Sequence, residues 1–219
     1  SSSASDVYKR QVVAALSNSS KFWYDRGGFK SKVLSKIKTG QVHFKYDGNA
    51  ESLEKFIIEN EHRLIESTDI ITKKMRERGG GISNIKLVNK SKELKSYYQL
   101  HLEFNTIDSM GANFINSCLE IISKNFKELL NDSSKFKESE KRIEIIMSIL
   151  SNYTPECIVE SSVECKIEDL SDIDGITAKE FAIKFKNAFD IANIDISRAV
   201  THNKGIMNGI DAVLISTGN

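Results

Sequence analysis

Apolar and polar positions along the chain change period several times, and each change marks an expected element. Residues 12–24 run through small and apolar side chains without a breaker, which predicts a helix ended by Arg26-Gly27-Gly28. Residues 41–46, QVHFKY, alternate with the period of two that predicts a strand, closed by Asp47-Gly48. Over 50–76, Leu53, Phe56, Ile57, Leu64 and Ile65 recur at helical spacing and predict one long helix, broken by Gly79-Gly80-Gly81. Residues 82–88 and 97–104 predict two strands joined by the polar stretch NKSKELKS. Asp108 opens a predicted helix carrying Met110, Phe114, Cys118, Ile122 and Phe126 at four-residue intervals. A charged insert, NDSSKFKESEK, precedes a further predicted helix over 142–150, and 157–167 predict a strand.

From residue 41 to 167 the expected order is β-α-β-β-α-β with one extra helix. That is the split βαβ, or ferredoxin-like, order of an α+β domain, with two helices on one face of an antiparallel sheet. A helix over 177–192 and a last segment over 197–217 follow. The Phe181, Phe185 and Phe189 stripe reads as core. The division expected is a leader over 1–11, a larger and mainly helical domain in two pieces, 12–40 and 168–219, and the small domain over 41–167 inserted between them. The larger domain is expected to be only partly present. The opening string SSSASDVYKRQ resembles translated adapter read-through and is read as a non-native leader, and the chain as cut at both ends.

Composition narrows the function classes. The 219 residues carry 31 Lys+Arg against 30 Asp+Glu, a net charge of +1, so no global charge selects nucleic acid or an acidic membrane. No apolar run approaches the roughly 20 residues of a membrane span, and no targeting segment is visible, which places the expected location in the cytoplasm. Cys118, Cys157 and Cys165 are odd in number and widely spaced, which fits free thiols in a reducing compartment. The single proline, Pro155, suits long helices and regular strands. Four scattered histidines with no His/Cys pair at ligand spacing predict no metal.

Two segments are dense in groups that do chemistry. Asp108-Ser109-Met110-Gly111-Ala112-Asn113 follows a strand and opens a helix. Asp108 is expected to cap the free N–H groups, and Gly111 permits close approach of a ligand to the backbone. A helix start of this kind attracts phosphate, though the same pattern also serves a plain capped helix. No GxGxxG is present, so an ordinary Rossmann site is not indicated. The second segment runs from Ser197 to Gly209. Arg198 has the fork that clamps a carboxylate. Lys204, beside Gly205 in an apolar context, is expected to be desolvated, to stabilise an oxyanion or to transfer a proton. Asn208 lies one helical turn further, on the same face. A surface Arg and Lys at a helix start fit the spacing equally well. His202 reads as a hydrogen-bonding residue.

These residues resemble a known family. DSMGANFINSCLE at 108–120 is similar to the dinucleotide-binding motif of hydroxymethylglutaryl-CoA reductases, and SRAVTHNKGIMNGIDAVLISTGN at 197–219 to the catalytic-lysine segment of the class II branch. VVAALSNSSKF at 12–22, the Gly79–Gly81 turn and ILSNYTPEC at 149–157 agree in order and spacing. The resemblance implies a small NAD(P)-binding domain inserted in a larger substrate-binding one, and a homodimer when complete. It implies a four-electron reduction of 3-hydroxy-3-methylglutaryl-CoA to mevalonate and CoA, or the reverse, with NADH or NADPH. Carried over by motif, Lys204 matches the catalytic lysine and Arg198 the residue that binds the substrate carboxylate. Asn208 and Asn152 match asparagines that hydrogen-bond lysine and substrate. Asp108, Met110, Gly111 and Asn113 match the cofactor motif. Asn84 stands where NAD-preferring relatives carry an acid for the ribose, so a neutral amide leaves NADH versus NADPH open.

The departures point the other way. Where the family has Glu-Pro-Ser before its first motif, with the Glu as proton donor, this chain reads Lys9-Arg10-Gln11. The family's catalytic Asp follows TGN, and the chain ends at Asn219. Of the family's four catalytic groups only Lys204 remains, which predicts a reductase fragment without turnover. The alternative is a non-catalytic remnant that binds nucleotide or a partner chain.

Overall fold

The computed structural model of the chain describes residues 4–170 and 175–218. Ser1–Ser3 of the expected leader, and Asn219, lie outside the described residues. Two compact units are formed, one by Val33–Val159 and the other by Ser1–Lys32 together with Glu160–Asn219.

In the first unit the elements run β1 (Lys30–Tyr46), α2 (Ala50–Glu66), α3 (Asp69–Glu77), β2 (Gly81–Asn89), β3 (Tyr97–Asn105), α4 (Ala112–Asp132), β4 (Ile143–Leu150) and β5 (Cys157–Ser162); α1 (Ala4–Tyr24) precedes them. The sheet order is β2-β3-β1-β4, with β5 also pairing β1. The β1–β3, β1–β4 and β2–β3 pairings are antiparallel. Strict alternation along β3 sends Tyr98, Leu100, Leu102 and Phe104 to one face, where Val42, Phe44 and Tyr46 of β1 join them. Leu53, Phe56, Ile57 and Leu64 of α2 and Ile115, Cys118, Leu119, Ile122 and Phe126 of α4 close that face into one core. Phe44 meets Phe126 edge-on at 5.3 Å between ring centroids. Gly40 sets how close α4 comes to β1: a Cβ there would lie 2.6 Å from Leu119 Cδ1.

Four expectations are corrected here. Residues 143–150, read as a helix, form strand β4 and pair with β1 from Gly40 to Tyr46. A short apolar run cannot be assigned by periodicity alone, and IEIIMSIL is rich in β-branched isoleucine. The last expected strand stops at Ser162 rather than 167, and a 3-10 turn occupies Ile167–Asp169. The single helix expected over 50–76 is two. Ser67 Oγ donates to Leu64 O and Thr68 Oγ1 to Ile65 O, and these hydroxyls take the carbonyls that would have continued α2. The first strand starts at Lys30, eleven residues before the expected alternation, because its first half is exposed and so carries no apolar period.

The second unit holds α1, α5 (Ala178–Ile194) and α6 (Ile196–Thr217). Thr177 and Glu180 form a reciprocal capping box at the start of α5, and Asp195 caps α6 by accepting from Ser197 N. The phenylalanine stripe on α5 is not core. Phe185 is 56% and Phe189 43% exposed. The four-residue spacing instead stacks the rings on one another, at 6.0 Å for Phe181–Phe185 and 5.0 Å for Phe185–Phe189. Arg26 lies over the Phe22 ring at 3.8 Å and also donates to Asp169 O, which ties the end of α1 to the 3-10 turn.

Candidate functional site

The Asp108 motif forms a tight turn between β3 and α4. Asn105 Oδ1 accepts from Ile107 N at 2.9 Å, and Ile107 takes a positive φ of 59°. The fully buried Thr106 donates its hydroxyl to Ser109 O at 2.8 Å. Ser109 returns two bonds to Thr106 O, from its N–H at 3.0 Å and its hydroxyl at 2.7 Å. The chain thereby uses residues 105–111 to turn before any helix begins.

Helix α4 therefore starts at Ala112, with Gly111 as its N-cap in the left-handed region at φ 77°. Gly111 is required twice over, since a Cβ there would lie 2.6 Å from Thr106 Cγ2. The expectation that Asp108 caps this helix is overturned. Asp108 lies within the turn, ahead of Gly111, and its exposed carboxylate sits 3.7 Å from Arg78 Nη1. Gly111, having no side chain, gives α4 no side-chain cap. The N–H groups of its first turn, on Ala112, Asn113 and Phe114, are the ones that an α-helix leaves unpaired within itself. Such a start, reached through a glycine, can receive an anionic group.

Lys38 of β1, which the sequence did not single out, reaches this turn. Its ammonium donates to Ser109 O at 2.7 Å and to Met110 O at 2.8 Å. Lys38, Met110, Ile115, Leu150, Ser151, Asn152 and Thr154 line a cleft of about 140 Å³. Asn152 is held there by the bend after β4: Ser151 N donates to Thr39 O at 2.9 Å, and Tyr153 N to Ser151 Oγ at 3.1 Å. Asn116 of α4 accepts from Leu150 N at 2.9 Å and fixes the same bend to the helix. Met110 is 71% exposed at the mouth. The structure thus brings Asn152 beside the Met110-Gly111 turn, although 40 residues separate them in sequence.

Asn84 stands apart from that cleft, on β2. It pairs with Glu103 just after a bulge at Ser83, close to where Gly81 pairs with Asn105 at the strand end leading into the turn. Gly80 packs under that strand end, where a Cβ would lie 2.5 Å from Asn105 O.

In the second unit, Arg198, His202, Lys204 and Asn208 all lie on α6. Lys204 and Asn208 are one turn apart on the same side, and Asn208 is half-buried. Lys204 is exposed rather than desolvated, because Gly205, Ile206 and Met207 beside it are themselves exposed. His202 meets Phe189 edge-on at 5.0 Å. Among the described residues no cluster of His, Cys, Asp and Glu is placed to hold a metal ion, and no helix is long and apolar enough to cross a membrane.

One unit thus presents a tight glycine turn leading into α4, and the other a Lys–Asn pair on a glycine-containing helix. Comparison with known proteins assigns the family. The family model for hydroxymethylglutaryl-coenzyme A reductase matches residues 11–219. The 3-hydroxy-3-methylglutaryl-coenzyme A reductase of Archaeoglobus fulgidus is 26% identical over 213 residues, covering 97% of this chain and 45% of that protein. A probable reductase of the same name from Borreliella burgdorferi is 26% identical over 212 residues, covering 95% and 44%. Among solved structures, the class II reductase of Streptococcus pneumoniae bound to NADPH in open conformations matches with a TM-score of 0.76 and 31% identity, over 95% of this chain and 53% of that one. A second structure of the Streptococcus pneumoniae enzyme matches with a TM-score of 0.75. The chain belongs to the hydroxymethylglutaryl-coenzyme A reductase family, and it spans less than half the length of these curated relatives.

Proposed function

We propose that this chain supplies the nicotinamide-nucleotide domain and the catalytic-lysine helix of an enzyme that interconverts 3-hydroxy-3-methylglutaryl-CoA and mevalonate, working as a homodimer in the cytoplasm. The observation that carries the reading is the 105–111 turn. Its left-handed Gly111 and the uncapped start of α4 form a backbone cradle suited to a dinucleotide. Family membership and the NADPH-bound Streptococcus pneumoniae neighbour support the same reading. The strand order β2-β3-β1-β4 supports reading this unit as a ferredoxin-like split βαβ module, a small cofactor domain inserted in a larger one.

In this reading Met110, Gly111 and Asn113 hold the nucleotide, Asp108 orients the approach to the turn, and Asn84 lies toward the ribose. Bound NADH or NADPH would supply one hydride to the thioester carbonyl carbon, with release of CoA, and a second nicotinamide one hydride to the aldehyde so formed, which together make the four-electron reduction. Arg198 holds the carboxylate of the hydroxymethylglutaryl group in a bidentate grip. The Lys204 ammonium stabilises the negative charge that develops on the carbonyl oxygen, and Asn208 and Asn152 orient lysine and substrate.

The test is absorbance at the nicotinamide band, followed separately with NADH and NADPH, in a chain extended to the full length of its relatives. Hydroxymethylglutaryl-CoA is added last. Substrate-dependent oxidation is expected, with a loss of about 100-fold or more in kcat for Lys204→Ala and little change in nucleotide affinity. Oxidation that persists in Lys204→Ala removes the lysine from the chemistry. The 219 residues alone are expected to show no turnover.

A further inference from the structure

We propose that Lys38 is a positioning residue for the nucleotide: it fixes the two peptide planes around Met110 so that the Met110 and Gly111 N–H groups face a bound diphosphate. This rests on the nucleotide reading of the turn given above. The ammonium of Lys38 holds the carbonyls of Ser109 and Met110 together, at 2.7 and 2.8 Å. In a planar trans peptide the N–H points opposite to the C=O. Pinning Ser109 O and Met110 O toward Lys38 therefore turns Met110 N–H and Gly111 N–H to the opposite side. Among the described hydrogen bonds neither N–H has a protein acceptor. Two successive N–H groups next to a left-handed residue form an anion-binding concavity, and here they lead directly into the start of α4.

Three further observations fit this role. Lys38 is half-buried on β1, so its position is set by the sheet and not by a loop. Neighbouring Thr39 and Gly40 are buried and bonded to the 151–153 bend or packed on α4, which leaves the Lys38 side chain little freedom to leave the turn. An ammonium has three donors, and two are used on the carbonyls, so the cation remains beside the turn while the cleft containing Asn152 stays open to it.

The test is a fluorescence titration of the 219-residue chain with NADPH, comparing wild type, Lys38→Met and Lys38→Arg, with circular dichroism to verify the fold. Removing charge-assisted bonds of this kind predicts a Kd raised about tenfold or more in Lys38→Met. Lys38→Arg keeps the charge and two donors, and is expected to stay within about threefold of wild type. Equal affinity of folded Lys38→Met and wild type overturns the role of Lys38 while leaving the nucleotide reading in place. No binding by folded wild type overturns that reading, and the role of Lys38 with it. If Lys38→Met does not fold, Lys38→Arg decides: a folded arginine variant weakened more than about tenfold contradicts the claim that a cation with two donors suffices.

Discussion

Cys118 shows how a single side chain takes its chemistry from packing. It is fully buried in the core between α4 and the sheet, and burial pushes its thiol up to about 12. Tyr46, also buried, is pushed up to about 12 by burial, with Glu140 and Tyr98 adding to the effect. Both groups are neutral acids in the fold, and their folded pKa values lie above the ordinary 9.0 and 10.0. Their contribution to stability is therefore complete below about pH 9 and is lost as pH rises toward about 12. Two outcomes are expected. At about pH 8 a thiol reagent labels the exposed Cys157 in the native chain and reaches Cys118 only after unfolding. The urea midpoint followed by circular dichroism falls steadily above about pH 9. Rapid native labelling of Cys118 would contradict the core described here.

The Gly111 turn is the element on which the site depends, and its glycine can be tested directly. Alanine at 111 would have to adopt φ near 77° and accommodate Thr106 Cγ2 at 2.6 Å. Thr106 is fully buried and bonded to Ser109, so it cannot give way cheaply. Gly111→Ala is expected to cost about 1–3 kcal/mol in urea denaturation and to weaken nucleotide binding with it. Unchanged stability would mean that the turn rearranges at no cost. The motif itself was legible in sequence, because strand, glycine and helix periodicity are local signals. The helix start was not. Whether Asp108 or Gly111 caps α4 depends on hydroxyl and amide bonds of Asn105, Thr106 and Ser109 that periodicity does not encode. Lys38 carried no signal at all. It is one of several lysines on a strand whose first half is exposed, and only the pairing of β1 with β3, which sets Lys38 opposite Phe104 next to the turn, distinguishes it. Residues 143–150 misled for a related reason: their strand state is decided by the free edge of β1, a partner about a hundred residues away.

At the scale of the whole chain, burial is divided very unevenly. The connected core, from Val42 to Ile143, lies entirely within the Val33–Val159 unit. In the other unit Ala212 is the one buried hydrophobic residue among the described ones, while Ile194, Ile196, Val200 and Met207 are each more than half exposed. Since burial of apolar surface is the main favourable term in folding, the two units cannot share one stability. The expected behaviour is sequential. Amides of β1, β3 and α4 should exchange only through global opening of their unit, while those of α5 and α6 exchange through fraying at much lower free energy. Hydrogen exchange read by mass spectrometry on native chain resolves this, with peptides from 98–130 compared against peptides from 178–217. Protection in α5 and α6 equal to that in β3 would sink the idea and would mean that their exposed apolar faces are covered in solution. If the helices do exchange quickly, then a segment comprising Val33–Val159 alone is expected to fold and unfold in a single transition at nearly the midpoint it has in the 219-residue chain. Under the nucleotide reading that segment should also keep its NADPH affinity, because Lys38, the 105–111 turn and Asn152 all belong to it.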